Sequence, residues 1–106
     1  MKQLQLTLLA LALGGTTLQV DAAPRKVILE NFTATWCGPC QRFKPIMQEV
    51  ANEGHSVQFI DIDSERDTAQ QYNVRSVPTV VIESGGQEVD RLIGGTTKQV
   101  ILEKLS

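Results

Sequence analysis

The only two cysteines of this chain, Cys37 and Cys40, stand three positions apart in the stretch Trp36-Cys37-Gly38-Pro39-Cys40. Two thiols at that spacing can share a metal ion, close a structural bridge, or exchange electrons as a dithiol–disulfide pair. A zinc site needs two more ligands, and the chain offers no third cysteine and a single histidine, His55. A purely structural bridge across so short a loop removes little entropy from the unfolded chain. Inert core thiols fit poorly beside Trp36 and Gly38, which place the first cysteine at an exposed turn. Redox chemistry is the reading that suits the pair best. It asks for one thiol stabilised as an anion and a second held close behind it.

The elements around the pair supply both conditions. Lys26 to Phe32 is rich in β-branched and large apolar residues and predicts a buried strand. From Cys37 to Asn52 the residues Phe43, Ile46, Met47, Val50 and Ala51 form the stripe of a helix packed on one face. Cys37 therefore sits where a strand ends and a helix begins, and the free N–H groups there favour a thiolate. Cys40, one turn on, points toward the protein body. Pro39 suits a first helical turn. Pro45 falls inside the helix, where it removes a backbone donor, and the continuing apolar stripe predicts one kinked helix.

Further along, Val57 to Asp61 predicts a second strand, with Val57, Phe59 and Asp61 on one face and Gln58 and Ile60 on the other. Ser64 to Tyr72 predicts a helix with its acids at the favourable end. Thr79 to Glu83 and Glu88 to Ile93 predict a hairpin around Ser84-Gly85-Gly86-Gln87. Thr96 or Thr97 caps a last helix ending at Leu105. The order β-α-β-α-β-β-α implies an α/β fold, a four-stranded mixed sheet flanked by helices. Its first two strands are parallel through a right-handed crossover. The third strand then runs antiparallel to the first, so Pro78 at its start belongs beside the thiols. Gly94, at the end of the fourth, returns to the same rim. His55 lies at the opposite end and reads as a solvated loop residue.

The first 22 residues differ in kind. Lys2 precedes an apolar run from Leu6 to Leu13, and Val20-Asp21-Ala22 offers a small-residue cleavage site, which is the layout of a secretory signal peptide. The run is far shorter than the roughly 20 residues of a membrane-spanning helix. The expected organisation is a signal peptide over 1–22 and one domain over 23–106. The alternative is that 1–22 folds as part of the domain. With 106 residues and a net charge of -2, the chain has no basic stretch to neutralise a run of phosphates, so no nucleic acid is expected as partner. The acids Asp61, Asp63, Glu65 and Asp67 mimic a calcium loop, but Arg66 and Tyr72 occupy positions that need glycine and glutamate. No metal site is expected.

Trp36-Cys37-Gly38-Pro39-Cys40 is identical to the active-site motif of thioredoxins, and the resemblance extends over about Val27 to Leu105. Pro45 stands where the family's helix-kinking proline does, Val77-Pro78-Thr79 resembles its cis-proline loop, Gly86 its hairpin glycine and Gly94 a glycine of its substrate groove. The resemblance implies a thioredoxin-like fold and thiol–disulfide exchange without a cofactor. Cys37 is then the nucleophile and Cys40 the resolving thiol. Trp36, Gly38, Pro39, Ser76, Val77, Pro78 and Gly94 form the substrate-binding rim. One position departs from the family. Its buried aspartate, six residues before the first cysteine, is Asn31 here, and a lysine that partners it in many members is Phe59. An amide cannot act as a base at neutral pH, so slower resolution by Cys40 is expected.

The Gly-Pro pair between the cysteines resembles the reducing members of the family. The expected substrates are disulfide-containing proteins, and the expected state is a monomer without stable membrane insertion after processing. With a signal peptide the protein acts outside the cytoplasm, periplasmic or secreted, and draws electrons from a membrane thiol reductant. The alternatives are a cytoplasmic protein reduced by an NADPH-dependent thioredoxin reductase, and a redox-inactive module that uses only the Pro78 groove.

Overall fold

A computed structural model describes residues 25–106 of the chain. The proposed signal peptide, 1–22, lies outside the described residues. The elements follow the expected order: β1 (Val27–Thr33), α1 (Gly38–Asn52), β2 (Ser56–Asp61), α2 (Arg66–Gln71), β3 (Thr79–Ser84), β4 (Gln87–Ile93) and α3 (Lys98–Leu105). The four strands form one sheet in the order β2-β1-β3-β4. β1 and β2 are parallel, and the other two pairings are antiparallel. Among the described residues no helix is long and apolar enough to cross a membrane.

The period-two pattern of β1 divides its side chains between two cores. Leu29 faces α1 and α3 and packs with Phe43, Met47, Val50, Val80, Ile82 and Ile101. Phe32 faces the other way and packs with Ile60, Ala69 and Val81 beneath α2. Met47, Val50, Val80 and Ile101 are fully buried, which makes the α1 stripe and the last helix the two halves of one lid. α1 runs on through Pro45 as a single helix.

One difference from the sequence reading has a local cause. α2 begins two residues later than expected, because the Asp61 carboxylate accepts from the N–H groups of Asp63 and Ser64 and holds them in a turn. Phe59 lies on the predicted face but stays 40% exposed, because β2 is an edge of the described sheet. The hairpin turn places Gly85 and Gly86 at φ values of 62° and 84°, a conformation that suits residues lacking a Cβ. At the far end of the molecule Lys104 pairs with Asp90, and Lys98 with Glu49 and Glu53, tying α3 to β4 and to α1.

Candidate active site

β1 ends beside the start of β3, with Phe32 opposite Thr79 in the register. The chain leaving β1 turns at Ala34, whose carbonyl accepts from the Cys37 N–H at 3.2 Å and from the Gln41 side chain at 3.1 Å. Cys37 is the N-cap of α1. Its Sγ stands where a capping oxygen normally does and accepts from the Cys40 N–H at 3.1 Å. Cys37 and Cys40 are joined as a disulfide, with Cα atoms 5.2 Å apart.

The turn is exposed at Trp36, Gly38 and Pro39, as the sequence implies. Cys37 itself is not: it is 5% exposed, and Cys40 is 2% exposed. Both pack with Ala34 against Ile62 and Val77, so the flanking residues carry the exposure instead. The carbonyl oxygen of Val77 lies 3.7 Å from the Cys37 Sγ. The Val77–Pro78 peptide is cis, and the Pro78 carbonyl accepts from the Gly94 N–H at 2.8 Å. Gly94 adopts φ 86°, which lets the chain turn out of β4 there. The structure thus brings Cys37, Cys40, Trp36, Gly38, Pro39, Ser76, Val77, Pro78 and Gly94 to one rim. His55 immediately precedes β2, at the far end of the sheet.

Asn31 lies on the α1 face of β1, one pleat nearer the thiols than Leu29. It is 2% exposed, and its Oδ1 has no hydrogen-bond partner among the described residues. Glu30 points to the opposite face, as the alternation requires.

Two contacts escaped the sequence reading. The Trp36 indole N–H donates to Asp63 Oδ2 at 2.7 Å, and the Thr79 hydroxyl donates to the Ser76 carbonyl at 2.8 Å. The first was within reach: parallel pairing of β1 and β2 brings the residues after both strands to the same rim. The second depends on a rotamer that no spacing specifies.

A disulfide closed at a helix N-terminus, faced by the start of an antiparallel strand, defines the class of thiol–disulfide oxidoreductases with a thioredoxin-like fold. The family model described as Thioredoxin matches residues 16–106. Thioredoxin 2 of Chlorobaculum tepidum is 41% identical over 83 residues, covering 76% of each chain. The bifunctional thioredoxin reductase/thioredoxin of Mycobacterium leprae is 38% identical over 84 residues, 76% of this chain but 18% of that protein. Among solved structures, a mutant thioredoxin from Halobacterium salinarum NRC-1 superposes with a TM-score of 0.72 at 33% identity, covering 86% of this chain and 81% of that one. The chain belongs to the thioredoxin family, and it is a protein-disulfide oxidoreductase.

Proposed function

We propose that the protein reduces protein disulfides outside the cytoplasm, with Cys37 as the attacking thiol and Cys40 as the resolving one. The observation that carries the roles is the N-cap geometry: the Cys40 N–H meets the Cys37 sulfur at 3.1 Å. In the reduced protein that donor and the start of α1 favour a Cys37 thiolate. The thiolate attacks one sulfur of the substrate disulfide, and the other substrate sulfur leaves as a thiolate. Cys40, deprotonated, then attacks Cys37, and the first substrate sulfur leaves. Two electrons pass to the substrate, and the protein is left with the Cys37–Cys40 bond. An extended substrate segment pairs with the backbone at Ser76 and Val77, with Trp36, Gly38, Pro39, Pro78 and Gly94 as the surrounding rim.

The test is a Cys40→Ser variant offered a disulfide protein. A mixed disulfide should accumulate at Cys37 and be visible by mass spectrometry. Absence of that adduct, with Cys37→Ser still reducing substrate, overturns the roles.

The export reading rests on residues 1–22, and a membrane thiol reductant then supplies the electrons. A second reading has specific support: the family match begins at residue 16, inside that segment, and one relative's name joins thioredoxin to thioredoxin reductase. In it the protein is cytoplasmic and a reductase regenerates the dithiol. The mass and cellular fraction of the native protein separate the two. A species starting at Ala23 outside the cytoplasm supports export, and a full-length cytosolic species overturns it.

A further inference from the structure

The sheet face beneath α2, which the thiol chemistry does not use, holds an unusual set of polar groups. Tyr72 follows α2, lays its ring against Phe32 with centroids 5.4 Å apart, and sends its hydroxyl between two carboxyl groups. Its Oη lies 2.5 Å from Glu83 Oε2 and 3.0 Å from Glu30 Oε2. Glu30 is 5% exposed, and its Oε1 has no partner among the described residues.

Hydrogen counting constrains this arrangement. A phenol carries one hydrogen, and an ionised carboxylate carries none. Two oxygen–oxygen contacts at hydrogen-bonding distance therefore need a second hydrogen. If both glutamates were ionised, one buried acceptor would face another acceptor, next to a second negative charge.

Among the described residues no lysine or arginine forms an ion pair with Glu30 or Glu83. From β4, Arg91 is bound to Glu88 and to the carbonyls of Tyr72 and Asn73. From α2, Arg66 and Asp67 are exposed at its start. From β2, the residue opposite Glu30 is the neutral Gln58.

We propose that Glu30 is a carboxylic acid at neutral pH, donating to the Tyr72 oxygen while Tyr72 donates to Glu83. The three side chains then form one acid–phenol–carboxylate chain across β1, α2 and β3. Burial pushes the Glu30 carboxyl above its ordinary value of 4.5; the Tyr72 hydroxyl opposes this and Glu83 adds to it.

Arg91 holds the Tyr72 carbonyl at 2.6 Å, at the root of the segment that leads to Val77 and Pro78. The folded chain keeps a proton that the unfolded chain gives up near the ordinary glutamate value. The contribution of Glu30 to stability is thus fully present below that value, declines as pH rises, and is gone once Glu30 ionises in the folded protein.

The experiment is denaturant unfolding of the oxidised full chain between about pH 5 and about pH 9, beside Glu30→Gln. For the wild type the folding constant should fall by up to about tenfold per pH unit, the mark of one extra proton in the folded state, until Glu30 has titrated. In Glu30→Gln the slope should vanish, because the amide donates the same hydrogen bond at every pH. Infrared spectra of the folded wild type at neutral pH should also show a carboxylic-acid carbonyl band that disappears on alkaline titration, a readout independent of any variant folding. Absence of that band overturns the proposal, as does a slope retained in Glu30→Gln.

Discussion

Asn31 and Phe59 stand opposite each other in the parallel register of β1 and β2, on the face that carries α1. Neither can take up or give up a proton near neutral pH, so Cys40 has no protein base at this position. Replacing Asn31 by aspartate should speed disulfide reduction by about tenfold, less than the roughly hundredfold or more of a fully positioned base. The gain should appear as pH rises, because burial raises the carboxyl's titration point. The same charge costs stability, on the order of several kcal/mol once ionised, since the residue opposite it is the apolar Phe59. Steady-state turnover across pH checks the first effect; an unchanged rate sinks this account of Asn31.

Gly94 joins the end of β4 to Pro78 through a 2.8 Å hydrogen bond while holding φ 86°. A Cβ there meets no atom within 4 Å, so Gly94→Ala probes backbone conformation and not crowding. It should cost about 1–2 kcal/mol, the penalty of a side chain in the left-handed region. If that backbone link helps position Pro78, reduction of protein disulfides should fall several-fold while a small disulfide reagent is reduced at the normal rate. Equal losses on both would count against the link.

Met47 is fully buried between β1, β3 and α3. Truncation to alanine leaves a cavity there and should cost about 2–5 kcal/mol in urea unfolding. The thiol loop is held by its own bonds to Ala34 and should keep its reactivity in the folded fraction.

The element order was legible from periodicity, whereas most of the rim residues came from the thioredoxin resemblance. Leu29 and Phe32 differ in parity, and that sends them to different layers. Pro78 and Gly94 came to the thiols because antiparallel strands exchange ends. What stayed hidden was side-chain direction at polar positions. Glu83 reads as an ordinary strand-end acid until the diagonal across β1 and β3 brings it to Tyr72. Cys37 reads as exposed until Val77 covers it, because a turn's exposure does not extend to each of its side chains.

The acid limb of stability should run opposite to the alkaline one. Arg91 bonds Glu88 and holds its carboxyl below the ordinary range, partly offset by burial. Stability from this pair is present above the ordinary glutamate value and is lost as pH falls through the lowered one. Both partners are partly exposed, with side-chain exposures of 23% and 39%. Glu88→Gln should therefore cost less than about 1 kcal/mol at neutral pH and flatten the acid side of the unfolding curve. A steeper acid limb in the variant would contradict the pairing.

Trp36 is the chain's one tryptophan, 67% exposed, tethered to Asp63 and adjacent to Cys37. The protein carries a built-in optical label on its reacting bond. Opening the disulfide or seating a substrate on the rim changes the surroundings of a single indole, with no second tryptophan to dilute the signal. Each half-reaction can be timed by fluorescence on the unmodified chain.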